Sequence, residues 1–302
     1  MVEACTRALC ELTKENSNIV VLGSDSMHIG ERILANAPKQ YIEMGIAECN
    51  LVGAAAGMAS TGIIPYVYAV SPFLVYRANE FIRDDVCLQN RNVKIIGYSA
   101  GMDYCTSGPT HHTTEDIAML RVMPNMTILS PASVKEVTEM VKEAAKIEGP
   151  VYIRLNRERN REIHEGDYRF CFNKADILHE GTDVALISSG SFSYDALQVA
   201  RLAEEKGIGV KVIHFGTLKP VDEESIIKAC REVKRIVTLE EHNIIGGLGG
   251  SVAEIIAENG LGVKLSRLGL KDTFALGYGN HDEIKEQNEL SVDHILKEVC
   301  RG

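Results

Sequence analysis

The chain has 302 residues, with 32 Lys and Arg against 42 Asp and Glu, so its net charge is −10. An acidic chain without a basic stripe is a poor ligand for nucleic acid or an anionic membrane, because both require clustered cations. No apolar stretch approaches the roughly 20 residues that span a bilayer, and the N-terminus lacks the charged start and apolar core of a signal peptide.

In the first half, short β-branched runs alternate with longer helical patterns, which is typical of βαβ units and a parallel sheet. Strands are predicted at 18–22, 64–68, 93–97, 126–129 and 151–155. Helices are predicted at 2–15, 46–60, 73–90, 114–123 and 133–148. Ser133 with Glu136 three residues later is a capping-box pattern at the start of the last helix.

The second half repeats this alternation. Strands are predicted at 184–187, 210–213, 236–239 and 263–266, and helices at 194–206, 223–230, 248–258 and 292–301. The segment 157–180 is charged and weakly periodic, which predicts a linker of irregular structure. We therefore predict two tandem α/β domains, at 1–170 and 171–302.

The eight cysteines are scattered along the chain without a Cys-x-x-Cys pair. This spacing predicts free thiols of a reducing compartment, with no disulfide framework and no zinc site. We expect a cytoplasmic protein.

Glu48 precedes a run of small residues, Gly53–Gly57. Side chains this small indicate that another helix or a ligand approaches the backbone closely at this position. The carboxylate either complements the N-terminus of its helix or is a buried group with a tuned pKa that shares a proton.

The loop segment Gly108-Pro-Thr-His-His112 follows a predicted strand, and ligands of parallel sheets bind at the carboxyl ends of strands. Of His111 and His112, either one is structural and the other solvent-exposed, or both form a functional pair. The aromatic run that includes Phe73 and Tyr76 predicts either core packing or a stacking platform.

Together these motifs resemble the pyrimidine-binding domain of transketolases and 1-deoxyxylulose-5-phosphate synthases. The resemblance is carried by Met44-Gly-Ile-Ala-Glu48-x-Asn50, Ser71-Pro-Phe-Leu74, Asp85-Val-Cys-Leu-Gln89, Gly108–His112 and Leu120-Arg-Val-Met-Pro-Asn-Met126. Leu239-Glu-Glu-His242 and Gly246-Gly-Leu-Gly-Gly250 are similar to the C-terminal domain of the same superfamily. The resemblance covers nearly the whole chain.

The resemblance implies thiamine diphosphate as the cofactor and transfer of a two-carbon ketol unit from a ketose to an aldose. It implies that Glu48 shares a proton with N1′ of the aminopyrimidine, that Phe73 and Tyr76 lie against this ring, and that Asp25 lines the pocket. His111 would contact the sugar and the reacting carbons. Arg157 would bind a sugar phosphate, which suits a guanidinium.

The Gly-Asp-Gly motif that holds Mg²⁺ or Ca²⁺ and the cofactor's diphosphate in full-length relatives is absent from the sequence. The resemblance therefore implies a separate N-terminal, pyrophosphate-binding subunit and an α₂β₂ assembly, with no metal held by this chain.

Three departures concern the substrate. Ser107 stands where relatives have an aspartate that selects the sugar's C2 hydroxyl, Ser99 where they have a phosphate-contacting histidine, and an arginine expected near the N-terminus is missing. The sugar or sugar phosphate is therefore left open. Two alternatives also remain: a decarboxylating subunit, of the 1-deoxyxylulose-5-phosphate synthase or 2-oxoacid dehydrogenase E1 β type, and a non-catalytic assembly subunit.

Overall fold

A computed structural model describes residues 1–156 and 161–301 of the chain. The strands are β1 (Ile19–Gly23), β2 (Tyr41–Glu43), β3 (Ile64–Val70), β4 (Lys94–Tyr98), β5 (Thr127–Leu129), β6 (Val151–Leu155), β7 (Asp176–His179), β8 (Val184–Ser188), β9 (Val210–His214), β10 (Thr217–Lys219), β11 (Arg235–Asn243) and β12 (Lys264–Leu270). The helices are α1 (Val2–Glu15), α2 (Met27–Leu34), α3 (Glu48–Ala59), α4 (Asn79–Phe81), α5 (Asp116–Arg121), α6 (Val134–Ala144), α7 (Phe192–Glu204), α8 (Glu223–Glu232), α9 (Leu248–Glu258), α10 (His281–Gln287) and α11 (Val292–Val299). None of these helices combines the length and apolar character needed to cross a bilayer.

The strands form two sheets. The first has seven strands in the order β10-β5-β6-β4-β3-β1-β2, and all pairs except β10–β5 are parallel. The second has five strands in the order β12-β11-β8-β9-β7, and only β7 runs antiparallel to its neighbour. The prediction of two tandem α/β units is confirmed, while the boundary at residue 170 stays a prediction.

The two sheets share one apolar core. A single cluster of buried side chains joins Leu51 of α3 and Val67 of β3 to Ile187 of β8 and Phe215 beyond β9. The strand β10, from the second half of the sequence, also completes the first sheet. Burial of a common apolar surface therefore fixes the two halves against each other.

One sequence prediction of local structure was wrong, and one predicted helix differs from the expected form. The segment 157–180 is not wholly irregular, because β7 lies within it and pairs with β9. The predicted helix at 73–90 consists of two π-helical segments, Phe73–Arg77 and Ile82–Cys87, on either side of α4. Such π-helical turns often occur at functional sites.

The capping box at α6 is only half formed. Ser133 Oγ accepts a hydrogen bond from the Glu136 amide at 3.3 Å, as predicted. The Glu136 carboxylate does not complete the box, because it accepts from Ala132 N and contacts two histidines instead.

Candidate active site

The candidate site lies at the carboxyl edge of the first sheet, where β1, β3 and β4 end side by side. The loop after β1 carries Asp25, the segment after β3 carries Phe73, and Ser99 follows β4 directly. Ligands of open parallel sheets bind at this edge. The strand order therefore gathers residues that are far apart in the sequence.

Glu48 is the first residue of α3 and is only 5% exposed. Its Oε1 accepts from Ser24 Oγ at 3.4 Å, and its Oε2 accepts from Arg77 Nη1 at 3.2 Å. The carboxylate thus has the positive end of a helix and one guanidinium beside it. Glu48 is therefore a buried carboxyl with hydrogen-bond donors on both of its oxygens.

Phe73 joins Glu48 to the histidine loop. The guanidinium of Arg77 lies over the Phe73 ring, 4.2 Å from its centroid, and His111 meets the ring edge-on with 5.2 Å between centroids. Tyr104 packs against His111 at 5.5 Å. The predicted residues Glu48, Phe73 and His111 therefore form one continuous surface, with Arg77 as the link that sequence reasoning missed. Its position four residues after Phe73 in a helical pattern was the signal that pointed to it.

Tyr76 is bonded elsewhere in the site. Its hydroxyl donates to the Glu115 carboxylate, and the Glu115 amide donates back to the hydroxyl at 3.4 Å. Burial, together with the nearby Asp116 and Glu115 carboxylates, raises the pKa of Tyr76 above its ordinary value. Tyr76 thus connects the first π-helical segment to the residue before α5, and its predicted contact with a ligand ring stays a prediction.

Asp25 is exposed and has a left-handed backbone, with φ of +51°. Glu43 fixes this conformation, since it accepts from the amides of Asp25 at 2.8 Å and of Ser26 at 3.3 Å. Glu43 also accepts from Gly45 N, in the loop that leads to Glu48. Sequence reasoning missed Glu43, which organises both loops of the pocket.

The predicted substrate residues are spread over the loops after β4. Ser99 is fully buried with φ of +56°, and its hydroxyl has no hydrogen-bond partner among residues 1–156 and 161–301. Ser107 is exposed, and its amide donates to Tyr104 O at 3.0 Å. His111 Nδ1 lies 2.9 Å from Thr110 Oγ1. Arg157 lies outside the described residues.

His112, next to His111, is buried at 3% exposure. Burial lowers its pKa below the ordinary value, which favours the neutral imidazole. The two histidines therefore differ, with His111 facing the Phe73 ring and His112 packed inside.

A buried polar network lies beneath the site. Arg154 donates to Asp116 Oδ2 at 2.8 Å and to the carbonyls of Thr113 and Glu241 at 3.0 Å each. Tyr152 donates to the same Asp116 oxygen and lies 2.8 Å from Ser71 Oγ. The segment that carries Phe73 is therefore anchored to strands of both sheets.

The two glutamates of the Leu239–His242 motif serve this framework. Glu240 accepts from Leu248 N at 2.7 Å and Gly249 N at 2.9 Å, so it caps α9. Burial raises the pKa of Glu240 above its ordinary value. Glu241 accepts from Met102 N at 2.9 Å and His281 Nε2 at 2.6 Å, which fixes the loop after β4.

The chain matches known protein families, sequences and solved structures. The family model for the transketolase pyrimidine-binding domain matches residues 1–162, and that for the transketolase C-terminal domain matches residues 173–295. A subunit of the apulose-4-phosphate transketolase of Actinobacillus succinogenes is 38% identical over 86% of this chain and 83% of its own length. A putative transketolase C-terminal section of Methanocaldococcus jannaschii is 37% identical over 96% of this chain and 92% of its own. A solved structure described as a split gene transketolase, inactive beta4 tetramer, superposes with a TM-score of 0.91 at 38% identity, covering 98% of this chain and 96% of that one.

Proposed function

From the premise that this chain belongs to the transketolase family, we propose that it is the C-terminal subunit of a two-chain transketolase that depends on thiamine diphosphate. It would move a two-carbon ketol unit from a ketose to an aldose once its N-terminal partner is bound. The observation that carries the proposal is the buried Glu48 carboxylate, linked through Arg77 to Phe73 and His111 at the carboxyl edge of the first sheet.

The residues of this pocket fit the aminopyrimidine half of the cofactor. When bound, thiamine diphosphate supplies the electron sink that allows a carbon–carbon bond of a ketose to break. Glu48 would exchange a proton with N1′ of the ring, and its neighbours Ser24 and Arg77 orient the carboxylate for this. The Phe73 ring, which the Arg77 guanidinium connects to Glu48, would supply an aromatic surface on which the aminopyrimidine stacks.

The diphosphate half of the site belongs to the partner in this proposal. The sequence has no Gly-Asp-Gly motif, so the partner would hold the diphosphate and its Mg²⁺ or Ca²⁺. Two apolar residues in the segment that leads to Glu48 support a subunit interface here: Ile46 is 73% exposed and Ile42 is 40% exposed. The relative described as an inactive beta4 tetramer also fits a chain that self-associates without working alone. We therefore propose an α₂β₂ assembly.

At the substrate end, His111 would contact the sugar, with the exposed Ser107 at the approach, the buried Ser99 beneath it after β4, and Arg157 as an anionic anchor. Relatives act on different sugars by name, an apulose 4-phosphate in one case and 6-deoxy-6-sulfo-D-fructose in another. The serines at 99 and 107 support a substrate other than a standard pentose phosphate, because neither can bind a phosphate or select a hydroxyl through charge.

The test is reconstitution with a partner that bears Gly-Asp-Gly, for example from a neighbouring reading frame. We expect two-carbon transfer from a ketose to an aldose only when both chains, thiamine diphosphate and Mg²⁺ are present, measured by mass spectrometry of the sugar products. Release of CO₂ from pyruvate instead would place the pair among the decarboxylating enzymes. No turnover with any partner would favour the assembly subunit.

A further inference from the structure

A second cluster of titratable side chains lies away from the candidate active site, where the two sheets and the segment between them meet. Glu136 belongs to the first turn of α6, and His164 to the connecting segment. Asp176 begins β7 and His214 ends β9, and these two residues are opposite each other in the antiparallel β7–β9 pair. Four metal-ligand side chains thus come from four separate parts of the chain.

These side chains converge on a small volume. Glu136 Oε1 lies 2.6 Å from His164 Nε2 and 3.2 Å from His214 Nε2. One ligand atom each from Glu136, His164 and Asp176 lie within 4.8 Å of one another. Bonds of about 2.0–2.1 Å in a tetrahedral zinc site place neighbouring ligand atoms about 3.3 Å apart. Glu136 Oε1 and His214 Nε2, 3.2 Å apart, already match this separation, and His164 Nε2 would move slightly away from Glu136 to reach it.

The imidazole of His214 is an independent indication of a ligand. It is fully buried, and its Nε2 has no aligned hydrogen bond among the described residues, although it points at Glu136. Its other nitrogen, Nδ1, is held by Ser193 Oγ at 2.7 Å. A metal-binding histidine is commonly fixed in this way, through a hydrogen bond at the ring nitrogen that does not bind the metal.

The other ligands are supported in the same manner. Tyr168 donates to Asp176 Oδ2 at 3.1 Å, and its ring stacks on His164 with 3.8 Å between centroids. His164 is 11% exposed at its side chain, so the cluster is reached from the surface on this side. The arrangement therefore has oriented ligands and an entry path, as a metal site requires.

Without a metal, the cluster is a hydrogen-bonded network. Glu136 accepts from His164 Nε2 at 2.6 Å and from the amide of Ala132, and its Oε1 also lies 3.2 Å from His214 Nε2.

We propose that Glu136, His164, Asp176 and His214 bind one divalent transition-metal ion, Zn²⁺ by preference, which joins α6, the connecting segment and the second sheet. Two imidazoles and two carboxylates suit Zn²⁺ rather than Mg²⁺ or Ca²⁺, which prefer oxygen ligands. The ion would have a structural role, separate from the cofactor's metal. These four ligands are far apart in the sequence and have no local spacing pattern, so a sequence motif does not reveal them.

The experiment uses the untagged full chain, without partner or cofactor, in buffer that contains excess Mg²⁺. Metal content is measured by mass spectrometry after Zn²⁺ loading and dialysis, and Co²⁺ is titrated while visible ligand-field absorption is recorded. We expect one Zn²⁺ per chain, the absorption of tetrahedral Co²⁺, and a rise in the unfolding temperature with Zn²⁺.

Two variants test the ligands without opening the core. His164→Phe keeps the ring that stacks on Tyr168, and Asp176→Asn keeps the shape of its side chain. Each should weaken Zn²⁺ binding by more than about tenfold, since even outer-shell changes cost about 10–100-fold. His294→Gln is the matched control, because His294 also lies beside a glutamate, Glu286 at 3.6 Å, but outside the cluster. The proposal is overturned if the chain takes up no stoichiometric Zn²⁺, or if the two variants bind it as tightly as the control.

Discussion

Replacing Glu48 with Gln should remove most of the activity while leaving the fold intact. The effect on stability is small because the carboxamide has the same shape and still accepts hydrogen bonds. The main loss is the ion pair with Arg77, whose side chain is half exposed at 51%. Exposed pairs contribute about 0–1 kcal/mol, so the unfolding temperature should fall by no more than about 4 °C.

The effect on catalysis is much larger. A carboxamide cannot exchange a proton with the aminopyrimidine, so the support that the buried carboxylate gives to the transition state is lost. Essential groups of this kind contribute roughly 3–5 kcal/mol, which corresponds to a decrease in rate of about 10²–10⁴.

The assay follows exchange of the cofactor's C2 proton with deuterated buffer in the reconstituted two-chain complex, which reports this step apart from substrate binding. Glu254→Gln is the control, since it breaks another Arg–Glu pair, with Arg121 at 2.6 Å, away from the site. An exchange rate in Glu48→Gln equal to that of the control would remove Glu48 from its proposed role.

Three further predictions concern the cofactor, the substrate and the core. The isolated chain should dimerise but bind thiamine diphosphate poorly, because it lacks a diphosphate motif; micromolar affinity by calorimetry would contradict this. Ser107→Asp should increase discrimination between C2-epimeric acceptors in kcat/KM, because a charge-assisted hydrogen bond contributes about 1.5–3 kcal/mol; unchanged, strong discrimination in both proteins would refute it. Burial lowers the pKa of Lys94 to about 7, although its Nζ donates to the carbonyls of Ile147 and Gly149. Because the unfolded lysine titrates near 10.4, the free energy of unfolding should rise with pH from about 7 to 10 by up to about 1.4 kcal/mol per unit, and Lys94→Met should flatten this slope in urea unfolding; an unchanged slope would show that Lys94 stays charged.

Strands with continuous apolar runs were predictable, and short strands at sheet edges were not. β6 is buried at every residue and was predicted with its observed bounds. β7 and β10 have only four and three residues, and both pair antiparallel at an edge. Pairing with β9 and β5 determines these two strands, so a pattern within the segment itself cannot reveal them.

Side-chain partners were predictable only where they are local. The amide of Glu136 donates a hydrogen bond to Ser133 Oγ, as the capping pattern predicts. The carboxylate of Glu136 instead contacts the imidazoles of His164 and His214, which are distant in sequence. Arg77 shows the same division: its contact with the Phe73 ring is local, but its contact with Glu48 joins residues 29 positions apart in the sequence.

A buried network of charged and polar groups links the two sheets. Arg154 forms an ion pair with Asp116, and their side chains are only 5% and 0% exposed. Arg154 also donates a hydrogen bond to the carbonyl of Glu241 in the second sheet. The Glu241 carboxylate in turn accepts from Met102 N in the loop that leads to the histidines. Removing one partner from a buried charged pair costs about 3–5 kcal/mol, so dividing the protein between the two sheets would destabilise both parts and displace His111.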